Sequence, residues 1–119
     1  MSDGGNSLGG LAISSSLDAG VAEIALRGEL DLASAPALEQ ELSNVERRDP
    51  QRVVIDLTGL GFIDSTGLRL LLQAQARASE HSRELLLRPG GDAVQRVFAV
   101  TGALEVLRFE QPAEGSSET

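Results

Sequence analysis

Residues 52–78 read R-V-V-I-D-L-T-G-L-G-F-I-D-S-T-G-L-R-L-L-L-Q-A-Q-A-R-A, and this stretch decides the architecture. The apolar run Val53-Val54-Ile55-Asp56-Leu57 has the length and composition of a buried strand. Thr58, Gly59 and Gly61 then predict a glycine-punctuated turn. Asp64-Ser65-Thr66-Gly67 opens a leucine-rich helix over 68–78. A strand running straight into a helix is half of a parallel crossover unit.

Working outward, Leu11, Ile13, Ser15 and Leu17 alternate as a strand, and Asp18-Ala19-Gly20 turns the chain. Ala22, Ile24 and Leu26 then alternate with Glu23, Ala25 and Arg27, as half-buried antiparallel strands do. Gly28-Glu29-Leu30-Asp31 leaves that hairpin. Ser34 offers an N-cap oxygen and Pro36 sits in the first turn of a helix whose stripe is Leu38, Leu42 and Val45. Arg47-Arg48 match that helix's C-terminal charge, and Asp49-Pro50 ends it. Downstream, Leu85-Leu86-Leu87 predicts a short strand, and Asp92 caps a helix with Val94, Val97 and Phe98 inward and Gly102 at its end. Val106-Leu107-Arg108-Phe109 reads as a last strand. The order β-β-α-β-α-β-α-β gives an α/β domain with a mixed sheet, an N-terminal hairpin followed by parallel units. A flexible lead-in is expected over 1–10, one domain over 11–110 and a flexible tail over 111–119.

The 119 residues suffice for one domain. Apolar residues make up 41%, yet there are three Phe and no Trp or Tyr, so the core is aliphatic. Without cysteine there is no disulfide, thiolate metal site or cysteine nucleophile. A formal charge of −8 repels phosphate backbones and anionic lipid, which argues against nucleic acid and membrane as partners. No apolar span fits a bilayer and the N-terminus lacks a signal-peptide pattern, so the chain reads as soluble and cytoplasmic.

The Asp64–Gly67 junction holds the informative chemistry. Helix starts leave N–H groups without intrahelical partners and carry partial positive charge. Ser65 or Asp64 can accept from them, and Gly67 permits close approach. By chemistry alone Ser65 is a capping serine, although a hydroxyl there also tolerates a phosphate. The one histidine, His81, lies at the far end of the helix, beyond reach of Ser65 as a base. Gly59-Leu60-Gly61 lacks the Lys-Ser/Thr ending of a P-loop, and no spacing rule joins Asp31, Asp56 and Asp64 into a metal set.

The segment Phe62-Ile63-Asp64-Ser65-Thr66-Gly67-Leu68, preceded by Val54-Ile55-Asp56-Leu57, resembles the signature of STAS domains, and in particular that of bacterial anti-sigma-factor antagonists. Gly28-Glu29-Leu30-Asp31 with Ser34-Ala35-Pro36, and Val97-Phe98 with Thr101-Gly102, agree in order and spacing. The resemblance covers about residues 11 to 110 and implies a STAS-like fold that is a switchable binding module rather than an enzyme, with no cofactor. It implies that the unphosphorylated form binds an anti-sigma factor that is also a GHKL-type serine kinase, freeing a sigma factor for transcription. It further implies phosphorylation at Ser65, reversal by a PP2C-type phosphatase, and a partner-facing surface of Asp31, Asp64, Ser65, Thr66 and Gly67. Relatives often carry a small residue where this chain has Arg69, which can pair with phosphate or an acidic partner, and a leucine where it has Ala103. The competing reading is a STAS subunit of a lipid-transport or stressosome-like complex in which Ser65 is structural.

Overall fold

A computed structural model describes residues 6–8 and, with their side chains, 10–110. The chain runs β1 (Asn6–Leu8), β2 (Leu11–Asp18), β3 (Val21–Leu30), α1 (Ala35–Glu46), β4 (Arg52–Ile63), α2 (Ser65–Glu80), β5 (Glu84–Arg88) and α3 (Asp92–Thr101), then a 3-10 turn over Ala103–Glu105. The five strands lie side by side in sequence order. The first three pair antiparallel, whereas β3 with β4 and β4 with β5 pair parallel. This is the mixed α/β sheet expected from the pattern of elements.

Alternation assigns the two faces of the sheet. Register aligns Ala22 with Val53 and Leu85, and Ile24 with Ile55 and Leu87. These rows join the buried stripes of all three helices in one hydrophobic cluster: Leu38, Leu42 and Val45 of α1, Leu68 and Leu71 of α2, Val94 and Phe98 of α3. A Ser15 to Glu41 hydrogen bond ties β2 to α1 on this side. On the opposite face Ala25, Asp56 and Arg88 align. There Arg88 donates to Glu23 at 2.6 Å, Asp56 at 3.0 Å and Glu110 at 2.9 Å, tying β5 to β3, β4 and the segment at Glu110. Burial pushes the Asp56 carboxyl up, but the Thr58 amide and hydroxyl and the Arg88 guanidinium outweigh it, so its pKa lies below the ordinary value. Hydrogen bonds from Arg88 to Glu110 and Glu23 hold the guanidinium more firmly protonated than usual.

Several expectations are corrected. No turn interrupts Thr58 to Gly61, because β4 stays extended through Ile63. Register shifts opposite Ala25/Arg27 and Gly28/Glu29 absorb its extra residues as bulges, so β3 also continues through Leu30. The glycines there make room: Gly28 has φ of 106°, and a Cβ on it would sit 2.0 Å from the Gly10 carbonyl oxygen. Residues 106–109 form no strand. One parallel bridge joins Leu87 to Phe109, and Phe109 packs on Phe98 at 5.6 Å between ring centroids. Asp92 is the first residue of α3 rather than its cap, which is Gly91. Gly102 ends that helix in the left-handed region, as expected. Within the expected lead-in, Asn6–Leu8 pairs with β2; the rest of that segment, residues 1–5 and 9, and the tail over 111–119 lie outside the described residues. No helix among those described is long and apolar enough to cross a membrane.

Candidate functional site

The carboxyl ends of the parallel strands β3 and β4 lie together, with Leu30 aligned to Ile63. Each strand feeds a helix at that end, so two helix N-termini and their loops share one edge of the sheet. Open α/β sheets place their binding crevices at such edges.

Each loop is tied down by a carboxylate. The Asp31 Oδ1 accepts from the backbone N–H groups of Ala33 and Ser34, both at 3.1 Å. Ser34 is not the capping oxygen the sequence suggested. Its side chain is buried, accepts from the Asp31 N–H at 2.9 Å and donates to the Glu29 carbonyl at 2.8 Å. The short Asp31 side chain reaches back over its own turn, and that leaves the serine free to stitch the turn to the end of β3.

Asp64 holds the second loop and joins it to the first. Its extended backbone places Oδ1 to accept from the Gly67 N–H at 3.0 Å, the N-cap bond of α2. Its Oδ2 accepts from the Leu32 N–H at 3.2 Å, in the Asp31 loop. Backbone bonds add to this, with the Asp64 N–H donating to the Leu30 carbonyl at 3.1 Å. One carboxylate therefore caps the helix and fixes the neighbouring loop.

Because Asp64 caps, Ser65 does not. Ser65 is the first residue of α2, is exposed, and its hydroxyl makes no hydrogen bond with another described residue. Thr66 beside it is half-buried. Gly67 points inward: a Cβ there would lie 2.6 Å from the Leu30 Cγ and 3.0 Å from the Ile63 Cγ1. The close approach it permits is of α2 onto β3 and β4, which sets how far Ser65 projects. Arg69 is exposed one turn further along α2 and has no carboxylate partner among the described residues. The geometry thus gathers Asp31, Asp64, Ser65 and Thr66 at one edge, with Arg69 beside them and Gly67 beneath. His81 terminates the same helix about 24 Å away, from about 1.5 Å of rise per residue. Asp56 belongs to the Arg88 network instead, and among the described residues no group of acids or histidine converges on a metal position.

Two residues of this edge were missed in the sequence. Leu32, in the Asp31 loop, is 73% exposed, and Phe62, near the end of β4, is 48% exposed; they flank the Asp64–Ser65 junction. The signal for Leu32 was a leucine placed after Asp31 in the loop that leaves β3. Phe62 was hidden because the bulges break strict alternation near the end of β4.

Comparisons with known proteins bear on the family and the fold. The family described as "Mlab, STAS domain" matches residues 13–108. An anti-sigma-B factor antagonist of Staphylococcus aureus is 26% identical over 92 residues, covering 77% of this chain and 85% of that protein. The crystal structure of an anti-sigma factor antagonist from Mycobacterium paratuberculosis superposes with a TM-score of 0.75 at 26% identity, covering 89% of this chain and 90% of the other. The Bacillus cell-fate determinant SpoIIAA has the same fold in its unphosphorylated form (TM-score 0.72, 20% identity, 88% and 93% coverage) and in its phosphorylated form (0.66, 19%, 88% and 96%). With the mixed sheet, the capped α2 junction and a family match across nearly all the described residues, this chain belongs to the STAS domain family.

Proposed function

We propose that this protein is an anti-sigma-factor antagonist, switched by phosphorylation of Ser65. In its unphosphorylated form it binds an anti-sigma factor that is also a GHKL-type serine kinase and so frees a sigma factor. The observation that carries this reading is the division of labour at the α2 N-terminus. Asp64 supplies the cap, which leaves an exposed, unbonded Ser65 hydroxyl between two apolar anchors. The relatives described above as anti-sigma-factor antagonists, one solved in both phosphorylation states, support it.

The partner surface in this reading comprises Asp31, Asp64, Ser65, Thr66 and Arg69, flanked by Leu32 and Phe62, with Gly67 setting its height. Transfer proceeds when Ser65 Oγ bonds to the γ-phosphorus of ATP, its proton passes to a base on the kinase, and the bond to ADP breaks. A PP2C-type phosphatase reverses the mark by hydrolysis, restoring the hydroxyl and releasing inorganic phosphate. The phosphate brings about −1.5 to −2 charge into a surface that packed against a neutral hydroxyl. A loss of about 3 kcal/mol weakens binding more than a hundredfold. Since Ser65 bonds to no described residue, the fold does not depend on its hydroxyl. The same fact disfavours the alternative, a subunit of a lipid-transport or stressosome-like complex with a structural Ser65.

The test is incubation with ATP and the serine kinase of the same organism that pairs with this antagonist, with the phosphate mapped by mass spectrometry. The expected result is one phosphate on Ser65 and none on Ser65→Ala. No phosphate on the wild type, together with no complex in ADP, would overturn the reading.

A further inference from the structure

Arg69 is set apart from the other arginines by its spacing from Ser65. It lies four residues after Ser65 on α2, so both project from the same exposed stripe one turn apart. Like Arg27, Arg47, Arg48, Arg96 and Arg108, it has no carboxylate partner among the described residues, so its guanidinium is available to a new anion. Asp64, five residues before it, has its two oxygens committed to the Gly67 and Leu32 amides.

Helical side chains lean toward the N-terminus, over the turn that precedes them. A long side chain at position 69 therefore covers the ground around Ser65. The order is also the favourable one, with the anion N-terminal to the cation at four-residue spacing. Guanidinium presents a planar fork of donors that matches phosphate in bidentate fashion, which a lysine cannot do.

We propose that Arg69 is the intrachain receptor for a phosphate on Ser65, an inference that rests on reading Ser65 as the modified residue. Phosphorylation then alters the partner surface twice. It places a phosphate where the hydroxyl was, and it withdraws the Arg69 charge that the unmodified form presents to an acidic group on the partner. The clamp also fixes the phosphate over the first turn of α2, leaving the Asp64 cap undisturbed.

Phosphoserine installed at position 65 during translation tests this without any kinase. The second ionisation of the phosphate is followed by phosphorus NMR from about pH 4 to 8, a range that brackets its ordinary value near about 6. With Arg69 present that pKa is expected about 0.5 unit lower than in Arg69→Gln, roughly a threefold change in proton affinity, and the gap should shrink in high salt. Arg69→Lys should fall between the two, and the unmodified variants should match the wild type in circular dichroism and melting. Equal values within about 0.1 unit in wild type and both variants would overturn the clamp. A kinase that ignores Ser65 would overturn the function proposed above and leave this difference intact, so the two failures are distinguishable.

Discussion

Replacing Asp64 by alanine removes two hydrogen bonds at once, and their sum can be worked out from the geometry. The bond from Gly67 N–H at 3.0 Å is the N-cap of a 16-residue helix, and such caps contribute about 1 kcal/mol. The bond from Leu32 N–H at 3.2 Å is longer and more exposed, and contributes about 0.5 to 1 kcal/mol. Asp64→Ala should therefore lose about 2 kcal/mol, which for a domain of this size lowers Tm by roughly 10 °C. Asp64→Asn separates the two terms. Asparagine caps as well as aspartate, but its amide nitrogen cannot accept from Leu32, so about 0.5 to 1 kcal/mol should go. Ser65→Ala should cost less than about 0.5 kcal/mol. Urea unfolding with an unchanged m-value measures all three, and hydrogen exchange at the Leu32 amide should quicken in both Asp64 variants. Were Ser65→Ala as damaging as Asp64→Ala, the assignment of cap and free hydroxyl would be wrong.

Gly67→Ala should be net destabilising by about 1 to 2 kcal/mol in urea, because the 2.6 Å overlap with a buried leucine outweighs alanine's better helix propensity; a stabilised variant would show that α2 can lift off the sheet freely. Leu32→Ala and Phe62→Ala should leave stability within about 0.5 kcal/mol, yet each should weaken partner binding by about 1 to 2 kcal/mol in calorimetry. Unchanged affinity in both would remove them from the interface. The Asp56 carboxyl titrates below its ordinary 3.8 in the folded state, so its contribution is complete above about that pH and is lost as the pH falls through the folded value. Urea midpoints between about pH 5 and 2 should fall more steeply for wild type than for Asp56→Asn, and parallel curves would contradict the Arg88 network.

The fold was largely legible because its signals are local and mutually consistent. Alternation marked β2 and β3, the apolar run marked β4, and the Leu38, Leu42, Val45 stripe marked α1. Bulges were not legible: Thr58, Gly59 and Gly61 have turn composition, and only the pairing of Gly59 with Arg27 and of Leu60 with Gly28 keeps the segment extended. The C-terminal edge misled for the opposite reason. Residues 106–109 have strand composition, but Gly102 and the 3-10 turn bring them to β5 with room for one bridge. At the site, Asp64-Ser65-Thr66-Gly67 was visible as a junction, and which oxygen caps was not. Asp64 and Ser65 are both good cap residues, and the choice depends on the Leu32 amide 32 residues away, which rewards the carboxylate twice. That the exposed Leu32 lies at the same edge as the serine was not legible until that bond placed it there.

The central claim is that one phosphate on Ser65 changes recognition without changing the fold. Its most direct test is calorimetric titration of the unmodified and the phosphoserine-65 proteins into the cognate anti-sigma factor, with melting curves of both. The unmodified form should bind, the phosphorylated form should bind more than about a hundredfold more weakly, and the melting temperatures should agree within a few degrees. Equal affinities, or a phosphorylated protein that fails to bind because it has unfolded, would contradict it.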